Sequence, residues 1–284
     1  MASHKAVVIA IVNQKGGVAK TTTSISLGHG LALEGKRTLL IDFDPQGNLT
    51  VYLGLRQEPC IYDWLTYQLT PAGAGKNMTV DHMRQWIRIS NRENLFVFPG
   101  DKWTKDAEDN MKIKGMVPAS HVRECLSPLL TSGLDYIVFD TAPSVTDMQS
   151  AAVWASDLVL IPTMLDFGSL FGVKTLTDDL RKLTGAGWKG KVAGILPTYF
   201  KGKMESEGGE QIMSGGTNVT RQQYESLTNY FGQDMIWEPI HDANVFREAS
   251  SANCTIFEMP GSNMVTQRAQ EEYKKVVKRI LKLR

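Results

Sequence analysis

The chain has 284 residues, 42% of them hydrophobic and 21% charged, and its 31 Lys and Arg nearly balance its 30 Asp and Glu. That length allows one large or two ordinary domains with a real core, and a net charge of +1 argues against a protein that coats polyanions through bulk charge. The longest apolar runs (residues 6–12, 136–139 and 158–161) fall far short of the roughly 18 residues of a membrane span. The first run leads directly into a glycine-rich loop, so no secretion signal is expected.

Cys60, Cys125 and Cys254 are odd in number and far apart, and His4, His29, His82, His121 and His241 show no ligand spacing. Neither a disulfide frame nor a zinc site is indicated, so any metal should be oxygen-bound.

In chain order, β-branched runs predict strands at 6–12, 38–43, 95–98, 136–140, 158–162, 192–197 and 235–237. Helical periodicity predicts helices at 21–34, 148–155 and 170–183 between them. Near-continuous apolar strands alternating with helices argue for an α/β fold, a doubly wound, mostly parallel sheet flanked by helices in a single domain spanning 1–284. Two stretches break the rhythm. Residues 70–77 are Pro/Gly-rich and read as a surface loop, and residues 201–218, with Gly208-Gly209 and Gly215-Gly216, read as a mobile insertion.

The end of the first strand carries Asn13-Gln14-Lys15-Gly16-Gly17-Val18-Ala19-Lys20-Thr21-Thr22. A strand, a glycine-rich turn and Lys-Thr opening a helix form the context of a phosphate cradle. There, backbone N–H groups and the helix N-terminus converge on anionic oxygens. Lys20 would reach the terminal phosphates, Thr21 would complete a magnesium shell and Thr22 would meet an inner phosphate. The usual phosphate-loop pattern fails twice, at Gln14 and Ala19, and leaves K-G-G-x-x-K-T with a surplus lysine, Lys15, at its head. Two later strands end in acids, Asp42-Phe43-Asp44-Pro45-Gln46-Gly47-Asn48 and Asp140-Thr141-Ala142-Pro143-Ser144. Ligands of open parallel sheets bind beyond such strand ends. Asp140 can hold magnesium, and Asp42 or Asp44, on the same side of their strand, can orient the attacking water and join the metal shell.

These motifs resemble the ParA/MinD family of deviant Walker A, P-loop ATPases, most closely the short Soj-like ParA proteins. Residues 161–163 with 168–172, 194–198 and Glu248-Ala249 fit later family segments, while 56–130 matches only in outline. The phosphate strand starts at residue 6, which fits the short form without an N-terminal helix-turn-helix extension. The resemblance implies ATP and Mg2+ as cofactors, with Lys15 reaching across a face-to-face homodimer to the partner's nucleotide and Asp44 as the catalytic carboxylate. It also implies an adenine pocket near Thr198, Tyr199 and Phe246. The family usually has Gly where Ala19 stands. If that position needs a positive φ, Ala costs about 1–2 kcal/mol; if not, the change is harmless.

The tail, residues 268–284, holds seven Lys/Arg and two Glu, and Tyr273, Val276, Val277 and Ile280 trace one apolar face. It reads as a docked closing helix, a nucleic-acid-binding face or, least well, a membrane-surface helix of the MinD kind. Family resemblance implies non-specific DNA binding by scattered basic residues, here Lys201, Lys203, Arg221, Arg247, Lys274, Lys275, Lys278 and Arg279. It further implies a cytoplasmic, nucleoid-associated protein that positions a plasmid, chromosome or other cargo, with hydrolysis stimulated by a ParB-like or cargo-adaptor partner. An iron–sulfur reductase would need bridging cysteines, a small-molecule ligase would need its own substrate pocket, and a bacterial tyrosine kinase would need a Tyr-rich tail. None of these features is apparent.

Overall fold

The computed structural model describes residues 5–70, 72–74, 76–143, 146–207 and 210–284. Its elements run β1 (Val7–Ile11), α1 (Lys20–Leu33), β2 (Thr38–Phe43), α2 (Asn48–Tyr52), α3 (Cys60–Thr66), α4 (Val80–Arg84) and β3 (Arg88–Ile89). There follow β4 (Leu95–Phe98), α5 (Trp103–Ile113), α6 (Pro118–Leu126), β5 (Tyr136–Thr141), α7 (Asp147–Ala155), β6 (Leu158–Met164) and α8 (Ser169–Gly185). The last part is β7 (Lys191–Thr198), β8 (Lys203–Glu207), β9 (Glu210–Ser214), α9 (Asn218–Phe231), α10 (Val245–Ser251) and α11 (Met264–Lys282).

Seven strands form one sheet in the order β3-β4-β2-β5-β1-β6-β7, parallel except for the short edge strand β3. Both faces are covered, as the unbroken apolar strands require. Val8, Ala10 and Val12 join a core with residues of α3, α5, α6, α7 and α8, while Ile9 and Ile11 join a second core with α1 and α11. β1 and β5 are central, and their register sets Ile11 beside Asp140, with Asp42 beside Asp140 on the other side. The two acidic motifs and the glycine-rich loop therefore emerge at one edge of the sheet.

The six longer predicted strands are present within one or two residues. The strand expected at 235–237 is not: Gln233–Met235 is a turn of 3-10 helix, and Ile236 makes only an isolated bridge to Ile195. Two causes are local. Pro239 has no N–H to continue a ladder, and the Trp237 indole lies against the backbone of Gly194, where an added Cβ would stand 1.9 Å from Nε1. The region expected to be a mobile insertion contains the antiparallel hairpin β8–β9, paired from Lys203↔Ser214 to Glu207↔Glu210; Gly208 and Gly209 lie outside the described residues. In the stretch that matched the family only in outline, α3 carries Trp64 against Phe98 of β4 and Phe43 of β2, a buried aromatic group with no regular sequence period.

The tail forms a helix four residues earlier than expected. Tyr273, Val276, Val277 and Ile280 are all buried, and the Tyr273 hydroxyl pairs with Thr23 Oγ1 on α1 at 3.1 Å. Gly194→Ala is expected to cost about 1–3 kcal/mol through overpacking against Trp237, read as a lower urea midpoint with intact secondary structure.

Candidate nucleotide site

The loop between β1 and α1 is tied down before any ligand is considered. Asn13 donates its side-chain amide to the Pro162 carbonyl (2.7 Å), and its Oδ1 accepts the Lys15 N–H (2.9 Å). This fastens the start of the loop to β6. Gly17 takes φ +72°, and Ala19 takes φ +62° and ψ +32°, the left-handed conformation that an L side chain resists. Ala19 therefore does carry the backbone cost that the sequence left open.

Lys20 begins α1, buried, and donates to the Lys15 carbonyl at 3.0 Å. Burial depresses its pKa, while Asp140 and Asp44 pull the other way. An ammonium so poorly hydrated gains most from an arriving phosphate. Thr21 Oγ1 donates to Asp140 Oδ2 and Ser24 Oγ to Asp140 Oδ1, each at 2.8 Å. Ser24 was not foreseen; its place one turn after Thr21 on the same helix side is the signal that could have found it. Asp140 is fully buried, and burial raises its carboxyl to about 6 against the pull of those hydroxyls.

Of the two acids ending β2, the structure separates the roles. Asp42 Oδ2 accepts from the Thr50 N–H (2.9 Å) and hydroxyl (2.6 Å), so it braces α2 within the protein. Its burial pushes it up to about 8, and its Oδ1 has no hydrogen-bond partner among the described residues. Among the described residues the Asp44 carboxylate accepts only from the Gln46 N–H, at 2.9 Å, and it lies near enough to Lys20 and Asp140 to act on both electrostatically. Asp44 is thus the one of the two acids that is not committed to bracing a neighbouring element. Thr21 and Asp140 offer hard oxygen donors in contact, a set that fits magnesium.

Beside the loop a cavity of about 480 Å³ is lined by Ala19, Thr22, Thr198, Tyr199, Phe246 and Tyr273, among others. The three expected base-pocket residues therefore meet Thr22 of the loop. Thr198 is in the cavity wall, and its hydroxyl proton is shared between the Val18 (3.3 Å) and Thr163 (3.2 Å) carbonyls, tying the loop to β6 and β7. Tyr52, His241, Arg247 and Asn253 also line the cavity and were missed in that role, because residues from α2 and the segments around α10 converge only in three dimensions. His241 bridges Glu272 (Nδ1 to Oε1, 2.6 Å) and the Gly202 carbonyl (Nε2, 3.0 Å), linking α11 to the base of the hairpin.

Other expected residues are placed elsewhere. Gly16 packs near Pro143, and Val18 is buried; Ser144 lies outside the described residues. Lys15 points away from the loop interior and forms an ion pair with Asp166. Among the basic residues, Lys274 pairs with Glu271, Lys275 with Glu238, and Lys201 with Asp242. Lys203, Arg221 and Lys278 are exposed. Arg247 faces the cavity and bonds Asn244. Arg279 is taken up structurally, stacked 4.9 Å from the Trp237 ring and donating to the Asp234 carbonyl, which weakens its case as a DNA contact.

A family model described as an AAA domain matches residues 6–189. The sporulation initiation inhibitor protein Soj of Bacillus subtilis is 32% identical over 244 residues, covering 84% of this chain and 85% of that protein. The chain belongs to the ParA/MinD family. The chromosome-partitioning ATPase Soj of Thermus thermophilus is 31% identical over 268 residues, covering 93% of this chain and 94% of its own. The fold of this ParA-like chain also matches an ATP complex of a single-residue variant of Cyanothece McdA, with a TM-score of 0.78, 22% identity, and 98% and 97% of the two chains covered.

Ala19→Gly is expected to stabilise the protein by about 1 kcal/mol by relieving the left-handed residue, measured as a higher denaturant midpoint. The folded-state carboxyl of Asp140 keeps its proton up to about 6, whereas the unfolded chain releases it near the ordinary 3.8. This group therefore makes the nucleotide-free protein less stable as pH rises from about 4 to 6. Asp140→Asn should gain about 1–3 kcal/mol relative to the parent between pH 4 and 7, read from denaturation curves at both pH values.

Proposed function

We propose that this protein is a ParA-type ATPase that binds Mg-ATP, closes as a sandwich dimer on it, binds DNA without sequence preference and positions a cargo. The observation that carries the reading is the division of labour between two lysines of one loop. Lys20 lies inside the cradle beside Asp140 and Asp44, and Lys15 is turned out of it. A lysine at the head of a phosphate loop that cannot serve its own nucleotide is available to another protomer's.

Lys20 and the N–H groups of residues 16–22 would hold the phosphates, with Thr22 near the inner ones. Thr21 and Asp140 would hold magnesium, which when bound offsets charge on the outer phosphates. Asp44 would orient the attacking water, and Lys15 would stabilise charge developing on the partner's leaving group. The base would sit in the cavity formed by Thr198, Tyr199 and Phe246, with Tyr273 behind it. Since the γ-phosphate lies in the interface, hydrolysis removes contacts that favour the dimer, and an adaptor on the cargo would accelerate that step. In this reading DNA meets exposed lysines such as Lys203, Lys274, Lys275 and Lys278, with Lys201 and Arg221 beyond them. The apolar side of α11 is buried on the sheet, which favours this surface over a membrane helix, as a membrane helix must expose that side.

The deciding experiment is a shift assay on random duplex DNA with ATP, ADP or no nucleotide over a salt series. Binding only with ATP, its logarithm falling linearly with the logarithm of salt, is the expected result; equal binding with ADP would refute the switch. Lys15→Ala should still bind ATP but lose about 100-fold or more in turnover, measured by phosphate release.

A further inference from the structure

Two walls of the cavity beside the phosphate loop come from segments far apart in the chain. One is Val51 and Tyr52 of α2, and the other is Ser250, Ser251 and Asn253 at the end of α10. The walls abut where they leave the cavity: a Cβ added to Gly54 would stand 3.2 Å from the Asn253 Cβ, and both residues have a left-handed backbone, at φ +75° and +54°. One arginine outside the lining joins them. Arg92 Nη2 donates to the Asn253 carbonyl at 2.8 Å, Nη1 approaches the Leu53 carbonyl at 3.5 Å, and Nε donates to Glu258 Oε2 at 2.8 Å. Leu53 directly follows Tyr52, so the planar fork spans the ends of both walls at once. The Arg92 side chain is only 7% exposed, which leaves little room for water to take over its acceptors.

Both ends of this clasp are fixed. Arg92 lies in the turn between β3 and β4, where its N–H donates to Ser90 Oγ and its carbonyl accepts the Leu95 N–H, each at 3.2 Å. Glu258 accepts the Thr255 N–H at 2.7 Å within a capping box. Burial would raise its carboxyl, but the Thr255 N–H and Arg92 outweigh burial and hold it below its ordinary range. The Thr255 hydroxyl in turn pairs with His29 Nδ1 at 2.6 Å. His29 is on α1, the helix that opens with Lys20. The walls are thereby referred back to the element that carries the phosphate lysine.

We propose that Arg92 is a positioning residue that sets the spacing of the α2 and α10 walls and, through it, how tightly and how selectively the cavity holds a nucleotide base. This rests on the reading above that the cavity takes the base of ATP. α2 is braced at its start by Asp42 through Thr50 and held just past its end by Arg92. A helix of five residues pinned at both ends keeps its wall in place before any ligand arrives, and binding then spends little on ordering it. Without the arginine, the Thr50 end stays fastened while Val51 and Tyr52 are free to shift. Thr21, Asp140 and Lys20 are held by their own bonds on the other side of the loop. Loss of the clasp therefore acts on the base and leaves the reacting end of the nucleotide as it was.

The test is calorimetric titration of the full chain with Mg-ADP and Mg-GDP, which present the two bases without turnover, together with ATP hydrolysis rates. The proteins are the parent, Arg92→Met, Arg92→Lys and Glu258→Gln. Methionine keeps the apolar stem and loses every donor; lysine keeps the charge for Glu258 but has no fork for two carbonyls. The parent is expected to prefer ADP by about tenfold or more. Arg92→Met should weaken ADP about tenfold and GDP by no more than about threefold, so the preference shrinks. Its KM for ATP should rise in step with ADP, with kcat within about twofold of the parent. Arg92→Lys should recover only part of the ADP affinity, and Glu258→Gln should lose about threefold. If Arg92→Met shows no cooperative urea transition, the two milder variants decide by the same pattern. A parent that binds neither diphosphate refutes the nucleotide reading itself. Four outcomes overturn the role of Arg92 and leave that reading standing: a parent that binds both bases alike, folded variants with unchanged ADP affinity, equal losses for ADP and GDP, or a fall in kcat at unchanged KM.

Discussion

The Asp140 carboxylate, buried where β5 ends between β1 and β2, is the interaction on which the site depends. It accepts Thr21 on one oxygen and Ser24 on the other, so the first turn of α1 is fastened to the middle of the sheet. That bond pair aims the helix N-terminus and the glycine loop at one point in space. It also keeps a carboxylate in a dry place at an energetic cost, visible in its raised pKa. Sites prepared for a cation carry this kind of tension, because the ion that relieves it is the ligand.

Around that anchor, the acids at the end of β2 have taken different work. Asp42 faces inward and braces α2 through Thr50, whose hydroxyl also receives the Gly100 N–H, so β2, β4 and α2 meet at one side chain. Asp44, two residues on, is left beside Lys20. The lysines divide in the same way, one inside the cradle and one outside. In each pair a small step along the chain exchanges a position taken up inside the protein for one with fewer protein partners.

The cavity beside the loop shows a different kind of assembly. Its walls come from α2, the end of β7, α10 and α11, brought together because α11 lies on α1 through Tyr273 and Thr23. His241 connects Glu272 of α11 to Gly202 at the foot of the hairpin. The tail helix thus supports the cavity on one side and presents lysines on the other, and the closing-helix and basic-face readings of the tail are compatible.

Sequence alone determined the sheet, its covered faces, the phosphate loop and the acidic strand ends, because these are set by short-range patterns: apolar runs, glycine spacing and polar residues at fixed offsets. It also marked Lys15 as surplus. It misplaced a strand at 235–237, where Gly194 and Pro239 override the apolar run, and it saw no hairpin in 203–214, because strands this short and polar carry little apolar signal. Only the tertiary structure decided that Ala19 bears a left-handed backbone, that Asp42 is structural, and that Arg279 is absorbed by Trp237. It alone also brought Asp166 to Lys15, residues 151 positions apart. Such pairings depend on how strands and helices pack, and no local pattern in the chain encodes them.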